Sequence, residues 1–162
     1  MYLPFPVRTN GTGLASAGDN NNYSVHLDGD TEVPANASLG TGQAIFKLSQ
    51  DGTSLDYKLI VANLDNPVAA HIHVAPPGVN GPVVAFLFGP AAPGGGTANG
   101  VLAEGTITAA NLVGPLAGQP FSALVEALNS GNAYVNVHTN DGVPPAGTGP
   151  GDLPGGEIRG NF

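Results

Sequence analysis

The sequence predicts an all-β fold, an antiparallel Greek-key β-sandwich of about eight strands. Three observations predict it. With 25 Gly and 15 Pro among 162 residues, breakers come too often for long helices. Between the breakers, apolar residues recur at every second position, the period of a half-buried strand. And 41% of residues are apolar, enough for one core in a chain of single-domain length.

Residues 1–22 stand apart as an extended N-terminal arm and linker. Met1–Val7 is apolar and holds Pro4 and Pro6; a Gly/Asn/Ser/Ala run follows and ends in Asn20, Asn21 and Asn22. Such a segment stays still only when something holds it, so docking on its own domain or on a second subunit is expected. Tyr2, Leu3, Phe5, Val7 and Leu14 are its candidate assembly residues. Pro4 and Pro6 donate no hydrogen bond and count against a full strand ladder, which makes Leu14–Ala17 an alternative pairing segment.

Residues 23–162 form the expected sandwich domain. Tyr23, Val25 and Leu27 share one strand face, with Ser24 and His26 on the other. Ala44–Ser49 and Leu55–Val61 flank Asp51-Gly52, a hairpin signal. Ala69–Val74 is a short apolar strand with two histidines. Val83–Phe88 is apolar on both faces and is expected to be central. Pro90–Asn99 is a Gly/Pro loop before a strand at Val101–Thr108. Phe121, Leu124, Val125 and Leu128 fall at i, i+3, i+4 and i+7 and predict one short helix near 121–129, with Gly131 as its cap. Strands at Ala133–Thr139 and Glu157–Phe162 enclose a proline-rich loop, Asp141–Gly155.

Composition narrows the function. A net charge of −8 with four basic residues leaves nothing to neutralise phosphates, so no nucleic-acid partner is expected. No run of about 18 apolar residues exists, so no membrane insertion by a helix is expected. The absence of cysteine removes disulfides, thiolate metal sites and Cys nucleophiles. Only 10% of residues are charged, which suits an extracellular or cell-surface protein, one whose leader is absent from this numbering. Asn10, Asn22 and Asn36 begin N-x-[ST] sequons, a number that chance supplies in a chain this rich in Asn.

Histidine is where chemistry concentrates. His71 and His73 are two apart on one strand and project together. His138 lies on a later strand, with Tyr134 and Asn136 on its face. Three converging imidazoles suit copper or zinc. The competing reading has His71 and His73 bind loop carbonyls and hold the Pro76–Pro82 loop. His26 shares no motif and faces solvent. Asp28, Asp30 and Glu32 place three carboxylates in five residues, a possible calcium loop or a solvated turn. No nucleophile elbow of the form G-x-S-x-G is present, Glu104, Glu126 and Glu157 are scattered, and Gly94-Gly95-Gly96 opens no helix. No enzyme is expected.

In order along the chain stand Glu32-Val33-Pro34, Gly42 with Ala44 and Phe46, Leu55-x-Tyr57 and Ala70-His71-Ile72-His73. Gly78-x-x-Gly81-Pro82-Val83-Val84, Gly100-x-x-x-x-Gly105 and Ala133-Tyr134-Val135-Asn136-Val137-His138-Thr139 continue the series, and Gly155-Gly156-Glu157-Ile158-Arg159-Gly160 closes it. The series resembles the CHRD domain, first described in chordin and widespread in bacterial and archaeal exported proteins. That resemblance implies an extracellular β-sandwich module without enzymatic activity, in which His71, His73 and His138 cluster in space. The His-x-His strand is also similar to the copper-binding strand of Cu/Zn superoxide dismutase, a likeness at the level of fold. Glu157 and Arg159, two apart on one strand, are expected to share a face, to pair or orient the cluster, and to anchor structure. Two functional readings follow. One is a structural subunit that self-assembles into a homo-oligomer, filament or surface layer by strand addition of its arm. The other is a copper- or zinc-binding surface protein.

Overall fold

The computed structural model describes residues 21–162, so the arm candidates Tyr2, Leu3, Phe5, Val7 and Leu14 lie outside the described residues. Eight strands follow in chain order: β1 Asn22–Asp28, β2 Thr41–Leu48, β3 Ser54–Asp65, β4 Pro67–His73, β5 Val83–Phe88, β6 Thr97–Thr108, β7 Tyr134–Thr139 and β8 Ile158–Asn161. One α-helix, α1 Phe121–Asn129, lies between β6 and β7. The strands hydrogen-bond in the order β5-β4-β7-β8-β1-β2-β3-β6, and every neighbouring pair is antiparallel.

This ladder has a weak seam. β1 and β8 share a single registered pair, Asp28 with Arg159. The sheet therefore divides into two four-stranded halves, β5-β4-β7-β8 and β1-β2-β3-β6, folded onto one another as a sandwich hinged along one edge. The chain crosses between the halves from β3 to β4, from β5 to β6 and from β6 to β7, which gives the Greek-key character. Far from the seam, the Tyr57 hydroxyl of β3 donates to the Leu87 carbonyl of β5 at 2.7 Å and ties the halves again.

Period two fills the core. Val25 and Leu27 of β1 face inward, as do Ala44, Phe46 and Leu48 of β2. β3 keeps Leu55, Leu59 and Val61 inside, then slips register between Val61 and Leu64. Asn63, at φ 53°, absorbs the extra residue, and Leu64 returns to the core. The opposing half contributes Ala70, Ile72, Val84, Leu87, Val135, Val137 and Ile158 to the same cluster. Helix α1 covers one end with Phe121, Leu124 and Leu128. It ends in a Schellman motif: Asn132 N–H bonds the Ala127 carbonyl at 3.0 Å, and Gly131 N–H the Leu128 carbonyl at 3.3 Å. Gly131 stands at φ 71°, where glycine is favoured.

One strand sits elsewhere than expected. β5 is the outermost strand of its half, not a central one. Its two-sided apolar character has a different origin. Register shifts against β4 rotate the strand so that Val84 and Ala85, consecutive residues, are both buried. Phe86 is left 51% exposed with its ring against His71. Boundaries also move: β2 starts at Thr41 rather than Ala44, β3 runs on past Val61 to Asp65, β6 starts at Thr97, inside the expected loop, and β8 starts at Ile158, after Glu157.

Gly160 on β8 tests the seam. A Cβ there would stand 2.1 Å from the His26 carbonyl oxygen and 2.4 Å from Val25 Cγ1, so β8 would be driven from β1. Gly160→Ala is expected to lower unfolding free energy by about 1–3 kcal/mol in urea titrations, the range of overpacking. Gly95, whose Cβ would meet nothing within 4 Å, provides the control: Gly95→Ala should change stability by less than about 0.5 kcal/mol.

Candidate metal centre

The two faces of the β4-β7-β8 sheet differ in chemistry. Ala70, Ile72, Val135, Val137, Ile158 and Gly160 face the apolar core; the intervening residues His71, His73, Tyr134, Asn136, His138 and Arg159 face away from it. Pairing of β4 with β7 sets His71 opposite Asn136 and His73 opposite Tyr134, with His138 opposite Ala69. His138 thus lies one diagonal step from His71, within reach of long side chains.

The structure brings His71, His73 and His138 together: one ring nitrogen of each lies within 4.8 Å of the other two. Their ring hydrogens are set by the surrounding loops. His73 Nδ1 lies 2.8 Å from the Gly81 carbonyl oxygen, and His138 Nδ1 lies 2.9 Å from that of Pro154. A carbonyl only accepts, so both Nδ1 atoms carry hydrogen and both lone pairs sit at Nε2. His71 Nδ1 stands 3.2 Å from His138 Nε2 and donates to it. His73 Nε2 is buried and has no partner among the described residues. Of the two sequence readings, then, His73 does hold the Pro76–Pro82 loop through Gly81, and the same bond leaves its other nitrogen turned elsewhere. A ring that gives one N–H to a carbonyl and keeps the opposite lone pair free is oriented as metal-ligating histidines are.

Burial and mutual proximity keep the cluster uncharged. His71 is held down to about 4, first by desolvation and then by the neighbouring His138 and His73. His73 and His138 are also lowered, each chiefly by burial. Neutral imidazole is the form that binds metal.

Around the histidines lies a polar layer that sequence reasoning assigned in part. Tyr134 stacks on His73 at 4.6 Å and 8°, and the Arg159 guanidinium carbon sits 3.5 Å from the Tyr134 ring centroid. Arg159 is fully buried. It donates to the Val79 carbonyl at 2.9 Å, the Asn80 side chain at 3.2 Å and Asn161 Oδ1 at 3.1 Å. Glu157 does not pair with it. Glu157 instead accepts from Ser38 Oγ at 2.6 Å, from Gly151 N–H at 2.8 Å and from Thr139 Oγ1. The carboxylate near Arg159 is Glu32, whose pKa is raised by burial and opposed by Val33 N–H, Arg159 and Asn136.

That placement separates the proposed calcium ligands. Asp28 accepts from Thr31 N–H at 2.8 Å and lies 3.7 Å from His26. Asp30 is exposed, and Glu32 is 4% exposed beneath the loops. Among the described residues, the three histidines are the one group of His, Asp and Glu arranged to hold a metal. Glu32 also lines a cavity of about 580 Å³ with Pro34, Asn80, Leu153 and Pro154, next to the carbonyl that orients His138. Missed in the sequence were the roles of Gly81, Pro154 and Glu32; two of these act through backbone carbonyls, which every residue has.

Comparison with known proteins adds the family. The CHRD domain model matches residues 23–148. No curated protein and no solved structure matches the chain. The matched span takes in β1 to β7 and all three site histidines, and stops before the Glu157–Arg159 segment. It covers well over half of the sequence, and the chain belongs to the CHRD domain family.

Proposed function

We propose that this CHRD protein is a non-enzymatic extracellular or cell-surface module that binds a transition metal, copper or zinc, through His71, His73 and His138. One observation carries the reading: three neutral imidazoles converge, two with Nδ1–H fixed on loop carbonyls, and the buried Nε2 of His73 makes no hydrogen bond of normal length among the described residues, with only the Asn136 side chain interacting beside it. A buried acceptor without a partner costs about 1–3 kcal/mol, and a metal would take its lone pair.

Equilibrium dialysis with Cu²⁺ and Zn²⁺ tests it. The parent should bind one ion per chain, and His71→Ala/His73→Ala should weaken binding by at least about 100-fold. Binding that is equal in parent and variant would sink the reading.

The pH dependence has a fixed sign. In the unfolded chain His71 takes a proton near pH 6.5; in the folded chain it does so only at about 4. Between those values the unfolded state binds more protons, so stability falls as pH falls. Glu32, raised by burial, works in the opposite sense, so the comparison needs a variant. From pH 7 to 4.5, the melting temperature of metal-free parent should fall more steeply than that of His71→Ala, by differential scanning calorimetry.

A second reading is self-assembly by strand addition. Among the described residues, the outer edges of β5 and β6 pair with no strand, and each exposes a large apolar side chain, Phe86 and Val101. Such edges accept an added strand, and residues 1–20 are the candidate donor. Deleting residues 1–20 should leave folded monomers by light scattering; polymers that persist unchanged would exclude the arm as donor.

A further inference from the structure

Once an ion replaces the bond between His71 Nδ1 and His138 Nε2, the three histidines supply three donors and no fourth. Among the described residues no further His, Asp or Glu joins them, and the chain has no cysteine. Closed four-ligand sites are structural, whereas three-ligand sites leave a position for water or another small ligand.

The packing says on which side that position lies. His73 is buried, with Tyr134 stacked on its ring. His71 and His138 are only half-buried. Outward of His71 stands Phe86, 51% exposed, its ring edge-to-face with the imidazole at 4.8 Å and 86°. Protein thus fills the His73 side, and solvent reaches the His71 and His138 side.

Charge says what the position would take. Three neutral imidazoles leave the ion's positive charge uncompensated. Arg159 adds a further positive charge behind Tyr134. Among the described residues no carboxylate acts on the three imidazoles; the buried Glu32 interacts instead with Asn136 and Arg159.

We infer that a metal held by His71, His73 and His138 keeps one coordination position open to solvent beside Phe86, and that this position binds a small anion. The inference rests on the metal-binding reading above. It makes the centre an exchanging site rather than a structural clasp.

The test uses the full chain loaded with one equivalent of Cu²⁺ and titrated with azide, followed by charge-transfer absorption and electron paramagnetic resonance. A saturable one-to-one spectral change, with copper retained, supports the open position. Unchanged spectra with copper still on three nitrogens would overturn it, and so would a four-coordinate centre closed by Asn136. If the chain binds no copper, the metal-binding reading itself fails, which dialysis without azide distinguishes. His71→Ala/His73→Ala with the same copper should show no one-to-one response. Phe86→Glu, which sets a carboxylate on the rim, should weaken azide binding at least about fivefold by charge repulsion; equal azide affinity would argue that the opening lies elsewhere.

Discussion

A guanidinium with no exposure to water is the most demanding feature of this molecule. Removing such a charge from water costs several kcal/mol unless hydrogen bonds and nearby charge offset it. Arg159 meets that demand from one loop, one ring and Asn161 of its own strand. The carbonyl of Val79 and the side chain of Asn80 take its hydrogens, and Tyr134 lies beneath its plane. The loop so gripped continues into Gly81, whose carbonyl fixes His73 Nδ1. Gly81 N–H also donates to the Tyr134 hydroxyl at 3.0 Å. One buried cation therefore sets both the stacking partner and the hydrogen-bond partner of His73. Its position on β8 makes it the residue paired with Asp28 at the seam between the two half-sheets.

The protein has two interiors of opposite kind. Between the half-sheets lies an ordinary apolar core. Outside β4, β7 and β8 lies a polar one, roofed by loops rather than by sheet. Glu157 organises its second part, collecting Ser38, Thr139 and Gly151 from three segments. Asn36 adds a bond from its side chain to the Glu157 carbonyl at 2.9 Å. Polar interiors are stable only when nearly every group is satisfied. Among the side chains of the described residues this one is, except at four buried atoms: His73 Nε2, Asn136 Oδ1 and Glu32 Oε2, on or behind the histidine cluster, and Asp152 Oδ1 in the loop before β8.

Different parts of this arrangement were legible to different degrees. Alternation located β1 and showed which of Tyr23 to Leu27 turn inward, because a strand face repeats every two residues. Asp51-Gly52 marked the β2–β3 hairpin, because its chemistry is local. Strand order is not local, and the two-sided apolar run of β5 read as central when it lies at an edge. The same limit applies to the site. That His71 and His73 share a face follows from spacing; that His138 meets them depends on β4 pairing with β7, 67 residues apart in the hydrogen-bonded pair, and only the family resemblance implied it. Glu32 shows the reverse error. Its neighbours Asp28 and Asp30 made it look like part of a solvated acidic cluster, but a turn at Asp28–Thr31 sends it under the loops toward Asn136 and Arg159.

The location of the histidines also decides what a metal can do for this fold. In small metal-dependent domains the ion replaces a core, and the apo chain unfolds. Here Leu55, Leu59, Leu64, Ile72, Val135 and Val137 are fully buried or nearly so without reference to the site. Its ligands stand on β4 and β7, strands held on both sides within their half-sheet. The backbone positions of the three imidazoles are therefore set before any ion arrives, and two of the rings are aimed by carbonyls. A metal binding there, as proposed, would spend little on ordering the backbone but would have to replace the bond between His71 Nδ1 and His138 Nε2. Under the metal-binding proposal, three neutral donors, partly open to solvent on a chain of net charge −8, would hold the ion without any charge of their own.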